Sequence, residues 1–163
     1  MSITETAWRI ETISEKKLVG KRLSMSIQNN QTPILWRSFM PRRKEILYRL
    51  NDDLVSMSVY DEKYFISFDP GREFIKWAAA EVSQFEQIPE GMECFELPGG
   101  LYAVFFYKGS STNNSIFKMI FNEWLPTSGY EIDDRPHFEI LGSKYVNGDP
   151  ESEEEIWIPI KNI

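Results

Sequence analysis

The sequence predicts an α+β domain made of two tandem, pseudo-symmetric strand–helix–strand–strand repeats. They form an antiparallel sheet with helices on one face and a cleft on the other. Three observations predict it. Short alternating segments bounded by Gly, Pro and Asn recur along the chain. The order strand, strand, helix, strand, strand occurs twice. Matched landmarks keep a nearly constant spacing, as a duplication produces: Leu18 and Leu101, each opening the strand before a helix, lie 83 residues apart, and Trp77 and Trp157, each on a last strand, lie 80 apart.

The elements follow in order. Trp8 to Ile13 alternates and reads as a strand, and Leu18 to Ile27 alternates again across Gly20. Thr32-Pro33 fits an N-cap with proline in the first turn, opening a helix that carries Leu35, Trp36, Phe39 and Met40. Pro41 either kinks that helix or starts a second helical segment. Leu54 to Tyr60 alternates apolar residues with serine, and Phe74 to Val82 is a further strand after the turn Asp69-Pro70-Gly71. The second half opens with strands at Glu93–Leu97 and Leu101–Tyr107 around Pro98-Gly99-Gly100. Ile116, Phe117, Ile120, Phe121 and Trp124 have helical spacing, and Pro126 and Gly129 end the helix. His137–Leu141 and Glu155–Ile160 are the last strands. Residues 1–163 therefore read as one domain, with repeat 1 at about 7–83 and repeat 2 at about 92–161.

Composition narrows the function classes. Of 163 residues, 42% are hydrophobic and 14% aromatic, enough to build a core and line a cleft. A net charge of −7 argues against direct contact with nucleic acid, which needs a basic face. The single cysteine, Cys94, excludes an intrachain disulfide and suits a reducing compartment. No apolar run approaches the roughly 20 residues that cross a bilayer, so a cytoplasmic location is expected, with no membrane partner. One Cys and one His (His137), far apart in sequence, leave no zinc spacing, and no phosphate-cradling motif occurs, so no metal or cofactor is expected.

Alternation sorts the last strands into faces. Ile156, Ile158 and Ile160 share the side suited to helix packing, which leaves Glu155 and Trp157 on the other. In the first half, Ile75, Trp77, Ala79 and Glu81 share a face. The two tryptophans then face one groove from opposite halves, and a carboxylate beside tryptophan walls suits a flat or cationic organic molecule. The plain alternatives are tryptophans packed in a core and Glu155 as a solvated member of the acidic stretch 151–155.

Several motifs carry a family resemblance. Tyr102-Ala103-Val104-Phe105 with Gly109, Glu123-Trp124-Leu125-Pro126, Ser128-Gly129-Tyr130-Glu131, Pro136-His137-Phe138-Glu139 and Glu155-Ile156-Trp157-Ile158-Pro159-Ile160 resemble the second half of the GyrI-like effector-binding domain. Leu18-Val19-Gly20, Leu35-Trp36-Arg37-Ser38-Phe39 and Trp77-Ala78-Ala79 extend the resemblance to the first half. The resemblance implies a small-molecule ligand in a cleft between the repeats, met by a glutamate at the position of Glu155. It favours Trp77 and Trp157 as cleft residues, with Phe106 or Tyr107 as a further candidate that alternation alone does not resolve. Activators of this family carry a DNA-binding segment ahead of the domain. Here the first strand starts near Trp8, so a separate DNA-binding regulator is the expected partner for a sensing role. Two alternatives remain: a gyrase-inhibitor-like interaction module, and a hydrolase of a reactive small molecule with Glu155 as general base and no other catalytic residue assigned.

Overall fold

The computed structural model of the protein describes residues 6–163. Its first half comprises β1 (Trp8–Ile13), β2 (Lys16–Met25), α1 (Thr32–Phe39), a 3₁₀ turn (Met40–Glu45), β3 (Leu54–Val59) and β4 (Phe74–Val82). The second comprises β5 (Glu93–Leu97), β6 (Gly100–Lys108), α2 (Ser115–Met119), a π-helical turn (Ile120–Trp124), α3 (Leu125–Thr127), β7 (Tyr130–Ile132), β8 (His137–Leu141) and β9 (Glu153–Asn162). The α+β class is thus as expected. The short strand β7 was not foreseen; it pairs with the end of β9. Pro41 starts the 3₁₀ turn, since its ring fits a first turn but not the interior of a helix. Pro126 cannot donate a backbone hydrogen bond, and the π turn lies just before it.

The strands form one antiparallel sheet in the order β1-β6-β9-β8-β3-β4-β2-β5. Exchanging β1 with β5, β2 with β6, β3 with β8 and β4 with β9 reverses this order onto itself, so a pseudo-twofold axis passes between β3 and β8. The first strand of each half pairs with the other half: β1 with β6, and β5 with β2. The halves are therefore interlocked rather than set side by side.

This exchange forces the sheet to curl. Strands from its opposite ends are joined by two residues each, Ser14-Glu15 between β1 and β2 and Pro98-Gly99 between β5 and β6. Such links span no more than about 10 Å. Gly20 eases the curl within β2, because a Cβ there would collide with the backbone of Ala78 and Ala79. The concave face is closed by Leu18, Met57, Trp77, Tyr102, Val104, Phe138 and Trp157 in one buried cluster. The sequence predicts a cleft on this face. The far face is instead core, because a curled sheet buries its concave side against itself.

Both helical segments lie on the convex face, as expected. α1 packs Leu35 and Phe39 on Val19, Ala78 and Ala80 of β2 and β4. Ile116, Met119, Ile120 and Trp124 pack on Phe105 of β6 and Ile156, Ile158 and Ile160 of β9. Leu18 faces the concave cluster while Leu101 packs on the helix side, so an offset of 83 between their strands inverts one face and does not pair equivalent positions.

Candidate functional site: an aromatic cavity over the central strands

Because the helical segments cover the outer strands, the middle of the convex face is left for something else. A cavity of about 740 Å³ lies there. Its floor is built from Ser56 and Ser58 on β3, His137 and Glu139 on β8, and Ile156 and Ile158 on β9. One wall comes from the second helical segment through Asn114, Phe117, Lys118, Phe121 and Asn122. The other comes from the 60–68 connection through Tyr60, Tyr64, Phe65 and Phe68. Register explains the floor: Ser56 pairs with Glu139 and Ser58 with His137, so four polar side chains share one face of the two axial strands.

The rings form a connected wall. Phe65 stacks on His137 at 5.1 Å and on Phe121 at 5.7 Å. Tyr60 meets Tyr64 at 4.5 Å, Phe65 at 4.9 Å and His137 at 5.0 Å, the last two edge-on. The Tyr64 hydroxyl is buried without a hydrogen-bond partner among the described residues. Burial pushes the Tyr60 phenol up to about 12, so it stays protonated. Burial, aided by the charge of Arg135, brings His137 down to about 3, leaving a neutral imidazole. Arg135 is itself fixed: it donates from Nε to Asp133 at 2.8 Å and from Nη2 to the carbonyl oxygens of Leu101 and Ile160 at 2.6 and 3.1 Å. It thereby pins the chain just before His137.

Glu139 carries the charge on the floor. Behind it, on β9, stands Glu154, which is buried and pairs in register with Tyr107. The two carboxyls share one face of neighbouring strands, since Glu139 pairs with Ile156, two residues on from Glu154, and each shifts the other. Burial raises Glu154 to about 8, Glu139 adds to the shift, and Lys76 opposes it. Burial raises Glu139 as well, against Lys76 and the hydrogen bond from Glu154. Burial thus pushes both carboxyls upward, and they titrate as a pair rather than singly.

The residues singled out from sequence are scattered. Trp77 and Trp157 do share a face and a cluster, but it is the concave core, where they are 4% and 7% exposed. Trp157 also borders the cavity floor from beneath; its ring stacks on Phe138 at 5.2 Å. Glu155 lies on the side opposite Glu154, accepts from Trp157 Nε1 at 3.3 Å and pairs with Arg9 at 3.1 Å. Phe106, opposite Glu155 in register, is exposed on that same side. Tyr107 turns to the convex side, where its hydroxyl donates to the Ser110 carbonyl at 2.7 Å. Apart from Trp157, none of these five lines the cavity. Sequence reading missed Glu139, Glu154 and the aromatics of 60–68. The available signal was the serine alternation of β3 and the His137–Glu139 alternation of β8, which mark a polar stripe facing inward.

Comparison with known proteins places the fold. The sequence profile described as the GyrI-like small molecule binding domain matches residues 6–161. The chain belongs to that family. Among curated proteins it is 29% identical to the transcriptional regulator BrlR of Pseudomonas aeruginosa, over 94% of this chain and 57% of BrlR. The chain thus spans little more than half the length of that regulator. Solved structures with the same fold include EcmrR in its complex with DNA, at TM-score 0.72 and 14% identity, covering 99% of this chain and 59% of EcmrR. SAV2435 bound to tetraphenylphosphonium is another, at TM-score 0.68 and 15% identity, covering 95% of this chain and 94% of SAV2435. No described helix is long and apolar enough to cross a membrane.

Proposed function

We propose that this GyrI-like domain binds an organic cation in the cavity above β3, β8 and β9. Glu139 supplies the countercharge and the rings of Tyr60, Phe65 and Phe121 supply the walls. The observation that carries this reading is a carboxyl, Glu139, on the floor of an aromatic cavity large enough for a drug-sized molecule. Aromatic faces attract a cation, and a partly desolvated carboxylate strengthens the attraction. The phosphonium cation bound by SAV2435 and the regulator BrlR support an effector-binding role.

Isothermal titration with a panel of lipophilic organic cations and their neutral isosteres tests it. The cations are expected to bind, and Glu139→Gln to weaken them at least about tenfold, the loss of one charged contact. Equal affinity for the neutral isosteres, or an unchanged affinity in Glu139→Gln, contradicts the reading.

A further inference from the structure

We infer that Glu154 is a positioning residue held as a neutral carboxylic acid, donating its hydrogen to Glu139 and so fixing the carboxyl that faces the cavity. This rests on the cation-binding reading above and deepens it. Glu139 lines the cavity, whereas Glu154 is buried behind it. Glu154 Oε2 finds no donor among the described residues. Glu139 is its neighbour across the strands, on the same face and diagonal in register, since Glu139 pairs with Ile156. An ionised Glu154 there would be an uncompensated buried charge, while an acid O–H satisfies both carboxyls at once. It also fixes the Glu139 carboxylate, so that its remaining lone pairs are aimed at the ligand space.

The surroundings allow this proton to stay. From β6, Tyr107 faces Glu154 with its hydroxyl already given to Ser110. From the 142–152 connection, Tyr145 is also held protonated by burial. From β8 comes Glu139, and from β4 comes Lys76, which acts through its charge and forms no ion pair within 4.0 Å among the described residues.

An amide also donates, so Glu154→Gln mimics the acid, while Glu154→Leu does not. The probe is tetraphenylphosphonium, titrated calorimetrically into wild type, Glu154→Gln, Glu154→Leu and Glu139→Gln from pH 6.5 to 9. At pH 7, Glu154→Gln is expected within about twofold of wild type and Glu154→Leu about tenfold weaker, the size of one charge-assisted hydrogen bond. As pH rises through 8, wild type is expected to gain affinity severalfold as Glu154 ionises under the ligand's charge, and Glu154→Gln to stay flat. Equal weakening by Gln and Leu overturns the proposal, as does a wild-type profile as flat as that of Glu154→Gln. The pH profile decides alone if Glu154→Leu does not fold. Loss of binding in Glu139→Gln with equal effects at Glu154 sinks only this inference; undiminished binding in Glu139→Gln sinks the cation reading itself.

Discussion

At the scale of single residues, sidedness decides function. Glu154 and Glu155 are neighbours in sequence, yet one stands behind a cavity and the other meets Arg9 on the far side. The pleat makes a one-residue slip equivalent to crossing the sheet. Two consequences are measurable. Trp77→Ala and Trp157→Ala remove buried core rings, so each is expected to lower stability by about 3–5 kcal/mol in urea unfolding, with ligand affinity affected far less than by Glu139→Gln. A variant that loses binding without losing stability would instead put the tryptophan in contact with ligand. The second concerns pH. Glu154 is raised from an ordinary 4.5 to about 8 on folding. Its stabilising proton uptake is therefore complete below pH 4.5 and lost as pH rises towards 8. The melting temperature of wild type is expected to fall against that of Glu154→Gln by about 5 °C between pH 5 and 8.5. His137, lowered on folding, acts in the opposite sense on the acid side and is common to both proteins, so it cancels. Parallel curves for the two proteins would mean that Glu154 is ionised throughout.

At the scale of elements, what was legible follows the physics of local signals. β4, β5 and β8 fall on the residues their alternation and turn residues mark, and the helices sit on the isoleucine side of β9. The exchange of β1 and β5 between halves was not legible, because pairing between strands far apart in sequence leaves no periodic trace. Without it, the curl is invisible, and alternation alone marks the concave face as a groove instead of a core. The cavity wall at 60–68 was hidden for another reason. Its rings lie in a turn-rich connection with no period, where Phe65 takes its place only by stacking between His137 and Phe121. Gly20 tests the curl. Gly20→Ala brings a Cβ onto the backbone of Ala78 and Ala79 rather than onto a flexible side chain. A loss of at least about 2 kcal/mol is expected in equilibrium unfolding, against the few tenths that an open strand position would show.

At the scale of the whole molecule, the pseudo-twofold arrangement creates the site and the sequence breaks its symmetry. Both helical segments cover the outer strands and leave the axial pair β3 and β8 uncovered. On that floor, β3 contributes serines and β8 a histidine and a glutamate, so the charge lies to one side of the axis. The tandem repeat thus shapes a cavity, and the divergence of the two halves decides what it holds. Anomalous diffraction from crystals soaked with tetraphenylarsonium tests this most directly, because the arsenic marks the ligand's centre. The peak is expected above Ser56, Ser58 and Glu139, beside the stacked rings of Phe65 and Phe121. A peak beside Trp77, or on the outer side by Phe106 and Glu155, with the cavity empty, would contradict the account.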